Sequence, residues 1–125
     1  MNLKKISSSF FLLLAVVLIS ACNNDDPSVL KVFVRSNSNV LTPNATVRIV
    51  GDISEGTPEY FDERKTNSQG IAFFDLEEHF DAYSKGDDKV AYYTVYARDT
   101  SAQFTKGNAR AKAHITSTEK IILDN

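Results

Sequence analysis

The sequence predicts an all-β fold, an antiparallel sandwich of about seven strands. Three observations carry this. Short segments of period-two alternation recur along the chain from Val29 onward, turn-forming residues separate them, and only one short stretch has helical spacing. In the first segment Leu30, Val32 and Val34 alternate with Lys31, Phe33 and Arg35, as expected of a strand buried on one side. Residues 36–43 are rich in turn formers. Ala45, Val47 and Ile49 then alternate with Thr46, Arg48 and Val50 in a second strand that ends at Gly51. After a loop over 52–58, residues 60–66 form a more polar third strand. Its charges, Glu63, Arg64 and Lys65, suit a sheet edge because they discourage pairing with another chain.

Asn67-Ser68-Gln69-Gly70 has the chemistry of a tight reversal, with Gly70 able to take a positive φ, and it leads into Ile71-Ala72-Phe73-Phe74-Asp75-Leu76. The reading is a hairpin. Leu76, Phe80 and Tyr83 recur at helical spacing, predicting one or two turns of helix over 77–84, a length that needs packing to be stable. Residues 85–88 break it. Residues 89–98 are dense in β-branched and aromatic side chains and read as the central strand. Ala109, Ala111, Ala113 and Ile115 opposite Arg110, Lys112 and His114 give a sixth strand, and Lys120-Ile121-Ile122-Leu123 a seventh.

The N-terminus has a different character. Lys4 and Lys5 precede a ten-residue apolar run over 10–19, and Ile19-Ser20-Ala21-Cys22 follows with the only cysteine of the 125 residues. Ten apolar residues are half of the roughly 20 that cross a bilayer as a helix. The arrangement resembles a bacterial lipoprotein signal with its lipobox. The resemblance implies cleavage between Ala21 and Cys22, a diacylglyceryl thioether on Cys22 and acylation of the new amino group. Each buried methylene adds ~0.8 kcal/mol, so two or three chains anchor firmly where one does not. With its sulfur acylated, Cys22 is withdrawn from disulfide, metal and nucleophile chemistry.

Cleavage leaves 104 residues, one domain's worth, and removes two of 14 basic residues but none of 16 acidic ones, for a formal charge of −4. That balance gives no reason to expect nucleic acid as a partner. Residues 22–28 read as a lipidated tether between signal (1–21) and sandwich (29–125). Asp25 and Asp26 resemble the acidic export signals of Bacteroidetes surface lipoproteins, without the lysine or glutamine of the stronger variants.

The order of pieces, Pro43-Asn44-Ala45-Thr46-Val47-Arg48-Ile49, then Thr66-Asn67-Ser68-Gln69-Gly70-Ile71-Ala72-Phe73, then Tyr92-Tyr93-Thr94-Val95-Tyr96-Ala97, resembles the prealbumin-like sandwich of carboxypeptidase regulatory-like domains and Cna B-type repeats. Cna B-type domains often carry an internal Lys–Asn isopeptide bond, for which Lys31 and Asn125 are placed. The assisting acid has no counterpart on the strand of Tyr92 to Tyr96, so Lys31 reads as a solvent-facing strand lysine.

No Gly-x-Ser-x-Gly elbow frames a serine, and neither histidine has the surroundings of a catalytic base. His114 reads as an exposed face residue. His79, beside Glu77, Glu78 and Asp81, reads as part of a solvated helix face in preference to a zinc or manganese site, and Asp87-Asp88 as a charged turn in preference to calcium ligands. The expectation is a protein without cofactor, metal or enzymatic activity. It sits on the outer membrane by its lipid anchor, on the periplasmic or surface side, and binds a glycan or an envelope protein. Tyr60, Tyr83 and Tyr93 are the aromatic side chains expected to be exposed for ligand contact. Docking into a larger membrane complex by an edge strand is the alternative, and a small hydrolase or metal-dependent enzyme on residues 77–88 the third.

Overall fold

A computed structural model describes residues 26–83, 89–100 and 103–124. Seven strands and two short helical pieces follow one another: β1 Val29–Arg35, β2 Thr46–Gly51, a 3₁₀ turn Ile53–Glu55, β3 Phe61–Lys65, β4 Ile71–Asp75, helix α1 Glu77–Tyr83, β5 Val90–Arg98, β6 Thr105–Lys112 and β7 Thr116–Ile122. They form two sheets, ordered β4-β1-β7 and β3-β2-β5-β6.

Alternation decides which side chains meet between the sheets. From the three-stranded sheet come Leu30, Val32, Val34, Ala72, Phe74 and Ile121, and from the four-stranded sheet Val47, Ile49, Ala91, Tyr93, Val95, Ala97, Ala109 and Ala111, all buried. The inward face of β6 is small, with Gly107 and Ala109 opposite Val95 and Tyr93. A Cβ on Gly107 would lie 3.3 Å from Ile121 Cδ1. Small residues there let β6 and β7 approach although they belong to different sheets, and the chain passes from one to the other through His114 at φ 64°.

Three expectations change. First, β7 pairs with β1 in parallel, Val34 against Ile121, so the sandwich is antiparallel except at this pair. Each strand then sits beside a partner remote in sequence, which local pattern does not encode. Second, the last two strands begin earlier than alternation indicates. Residues 105–108 and 116–118 are polar on both sides and still pair in full register, because edge positions of a small sandwich tolerate polar side chains.

Third, residues 67–70 do reverse the chain, but β3 and β4 are not a hairpin. β3 pairs with β2, and β4 with β1 in the other sheet. The turn closes locally: Asn67 N–H donates to the Ile71 carbonyl (2.9 Å), and Asn67 Oδ1 accepts from Gln69 N–H (2.9 Å) and Ile71 N–H (3.1 Å). Its two ends are tied to different sheets. Thr66, buried, donates its N–H to the Ala45 carbonyl (2.9 Å) and its hydroxyl to the Thr42 carbonyl (2.6 Å), and Oγ1 accepts from Ala45 N–H (2.8 Å). At the other end Val34 N–H donates to the Gly70 carbonyl (2.8 Å). Gly70 has φ 73° and lies against the β1 backbone, where a Cβ would be 3.0 Å from the Val34 carbonyl.

Ser28, which reads as the end of the tether, belongs to the fold. It is buried, its N–H donates to Glu77 Oε1 (3.0 Å), its carbonyl accepts from Leu76 N–H (2.9 Å) and its Oγ accepts from His114 N–H (2.8 Å). The entry to β1 is thereby fastened to α1 and to the β6–β7 turn.

Candidate functional site

Helix α1 forms as the spacing predicts. Asp75 Oδ1 accepts from Glu77 N–H at its start (3.0 Å), and Lys89 Nζ donates to the Phe80 carbonyl near its end (2.7 Å). Leu76 and Phe80 are buried, and so is His79, only 7% exposed. His79 is therefore not on a solvated face. Positions 76, 79 and 80 lie three and four residues apart and share one side of a helix, a signal present in the sequence.

The imidazole joins two of the tyrosines singled out above. Its ring stacks on Tyr60 at 4.2 Å between centroids and 16° between planes, and Nδ1 is hydrogen-bonded to the Tyr93 hydroxyl at 2.7 Å. Tyr60 and Tyr93 meet edge to face at 6.0 Å. Tyr93 is 1% exposed, which corrects its reading as a surface contact. Inward positions on β5 are odd-numbered, Ala91, Tyr93, Val95 and Ala97, so Tyr92 and Tyr96 face outward instead. Tyr60 is half-buried against the core. The side chain of Tyr83 lies outside the described residues, as do Ala21, Cys22, Asp87, Asp88 and Asn125.

Burial pushes the His79 imidazole below its ordinary value and favours the neutral ring. Burial first, and then the Asp62 carboxylate, push the Tyr60 phenol above its ordinary value. The imidazole is hydrogen-bonded to a core phenol, an arrangement that orders a helix against a sheet. Beside this stack an open cleft of about 380 Å³ is lined by Tyr60, Phe61, Asp62, Arg64, Asp75 and Glu78. Arg64 Nε pairs with Asp62 Oδ2 at 3.2 Å. Among the described residues no group of three or more His, Cys, Asp or Glu side chains is placed to hold a metal ion, and Glu77 instead accepts the Ser28 N–H.

The most chemically distinctive surface is the outer face of the four-stranded sheet. Register places Lys65, Thr46 and Arg98 in one row across it, and Glu63, Arg48, Tyr96 and Lys106 in the next. Arg110 stands opposite Tyr92, and Lys112 opposite Val90. Arg48 pairs with Glu63 through Nε and Oε2. Phe104 contacts two guanidinium groups, with Arg48 Cζ 4.6 Å and Arg98 Cζ 4.4 Å from its ring centroid, and Tyr96 meets it edge to face at 6.3 Å. Six cations thus share a face whose strands, among the described residues, offer the single carboxylate Glu63.

Alternation puts Arg110 and Lys112 on one side of a strand, but nothing local joins them to Arg48 on β2 or Arg98 on β5. Lys31 stands on the opposite sheet, partly exposed, with Nζ 5.3 Å from the centroid of the Phe73 ring. His114, half-buried, is a left-handed turn residue whose N–H bonds Ser28, not a strand-face residue. Compared with known proteins, the chain matches no protein-family model, and no curated protein is significantly similar to it.

Proposed function

We propose that this protein is a lipid-anchored, non-enzymatic binding or accessory module of the outer envelope, held on the outer membrane through Cys22 and related in build to prealbumin-like sandwiches of Bacteroidetes-type lipoproteins. One observation carries the binding role. The core accounts for the inward half of β2, β5 and β6, yet the outward half bears Arg48, Arg98, Lys106, Arg110 and Lys112 with Tyr92 and Tyr96, a composition that strand pairing does not require. Five residues, 23–27, separate Cys22 from Ser28, where the fold begins.

The experiment has two parts. Metabolic labelling with a fatty-acid probe marks the wild type and not Cys22→Ala, and surface proteolysis of intact cells reports the side of the membrane. An unlabelled wild type defeats the anchor. The alternative, a subunit of a larger outer-membrane complex, draws support from Phe73 and Ile122, 46% and 45% exposed on the outer face of the three-stranded sheet. It predicts co-purification with that complex, lost on Phe73→Glu.

A further inference from the structure

We infer that the outer face of the four-stranded sheet binds an anionic polysaccharide, a linear chain bearing carboxylate or sulfate groups. This deepens the binding-module reading and rests on it. The protein as a whole is acidic, with a net charge of −2, so six cations against one carboxylate among the described strand residues of a single face is a strong segregation of charge. A dense positive patch on an acidic molecule attracts polyanions locally while the remaining surface repels them.

The cations are laid out as a track. Lys106, Arg110 and Lys112 lie along one side of edge strand β6, where every second residue is about 7 Å further on, so they extend over about 20 Å. Arg48 and Arg98 widen the track at the Lys106 end, across β5 and β2. A row of this length fits repeated anionic groups on an extended chain better than one small anion.

The aromatic residues separate a glycan from a nucleic acid. Single-stranded nucleic acids are held by bases stacked on open ring faces. Here the Phe104 ring carries a guanidinium at 4.6 Å and another at 4.4 Å, and Tyr96 packs its ring against it. These rings hold arginines in place. A guanidinium fixed by stacking presents a planar fork of N–H donors that matches carboxylate and sulfate oxygens.

The test uses the mature acylated protein in a non-ionic detergent and immobilised polygalacturonate as the probe. The protein is expected to be retained and released by salt, and to ignore neutral dextran. Lys106→Glu/Arg110→Glu/Lys112→Glu changes three exposed side chains and is expected to weaken binding at least tenfold with unchanged circular dichroism. Lys31→Glu/Lys120→Glu, on the other sheet, is expected to change it less than twofold. Arg98→Lys keeps the charge and loses the fork, and is expected to weaken binding about threefold or more. The inference is overturned if the protein is not retained, if dextran retains it equally, if both charge reversals act alike, or if single-stranded DNA or anionic vesicles bind more tightly than the polysaccharide. The mass of the purified protein reports its acyl groups separately, so an acylated protein that ignores the polysaccharide defeats only this inference, and an unacylated one that binds defeats only the anchor.

Discussion

Replacing Tyr93 by Phe removes one oxygen from the middle of the molecule, and the structure says what that oxygen does. It is bonded to His79 Nδ1 at 2.7 Å between residues 1% and 7% exposed. Losing a buried hydrogen bond and leaving its partner unsatisfied costs about 1–2 kcal/mol. At about 4–8 °C per kcal/mol for a domain of this size, the melting temperature falls by about 5–15 °C. His79→Phe preserves a ring against Tyr60 and removes the nitrogen bonded to the Tyr93 hydroxyl, with a loss of the same order. In the double variant both polar partners are gone, so urea unfolding is expected to show a coupling of about 1–2 kcal/mol between the two changes. Losses that simply add, within about 0.5 kcal/mol, refute the reasoning.

The same residue sets a pH dependence. His79 in the fold has a lower pKa than the ordinary 6.5, so on acidification the unfolded chain takes up the proton first. The stability contributed by the neutral ring is complete above 6.5, declines as the pH falls through that value, and levels off below the folded pKa. Wild type should therefore lose more stability than His79→Phe between pH 7.5 and pH 5; equal losses defeat the assignment.

Other variants separate steric from polar causes. Gly51→Ala places a Cβ 2.3 Å from the Pro58 carbonyl oxygen, backbone against backbone, and is expected to cost about 2–3 kcal/mol in urea unfolding, whereas Gly56→Asn, at φ 85° in open space, is expected to cost less than about 1 kcal/mol. Thr66→Val keeps shape but leaves the Ala45 N–H and the Thr42 carbonyl without their hydroxyl partner, an expected loss of about 2 kcal/mol measured the same way. Arg48→Ala breaks a pair whose side chains are 38% and 41% exposed, and thermal melts should register less than about 1 kcal/mol.

Much of the architecture was legible because burial on one side writes a period of two into a strand. Leu30, Val32 and Val34, or Val47 and Ile49, are inward as their alternation indicates. The pattern fails where both phases are plausible. Tyr92 and Tyr93 are alike locally, and only the pairing of Tyr93 with Ala109, between Ala91 and Val95 on the core side, decides which ring is buried. The aromatic stack was half visible. Helical spacing groups His79 with Leu76 and Phe80, but nothing local brings Tyr60 over the imidazole.

Residue types and their spacing alone determined the strand count, the place of the short helix, the polar edge of β3 and the net acidity. Local sterics and the need to hide apolar side chains act over a few residues, so they leave their mark in short windows. The tertiary structure alone decided that β7 runs parallel to β1, that residues 67–70 link two sheets, and that cations from β2, β5 and β6 share one face. Those outcomes depend on register between strands whose paired residues lie as much as 87 positions apart, Val34 and Ile121 among them, and register is settled by how a whole core packs.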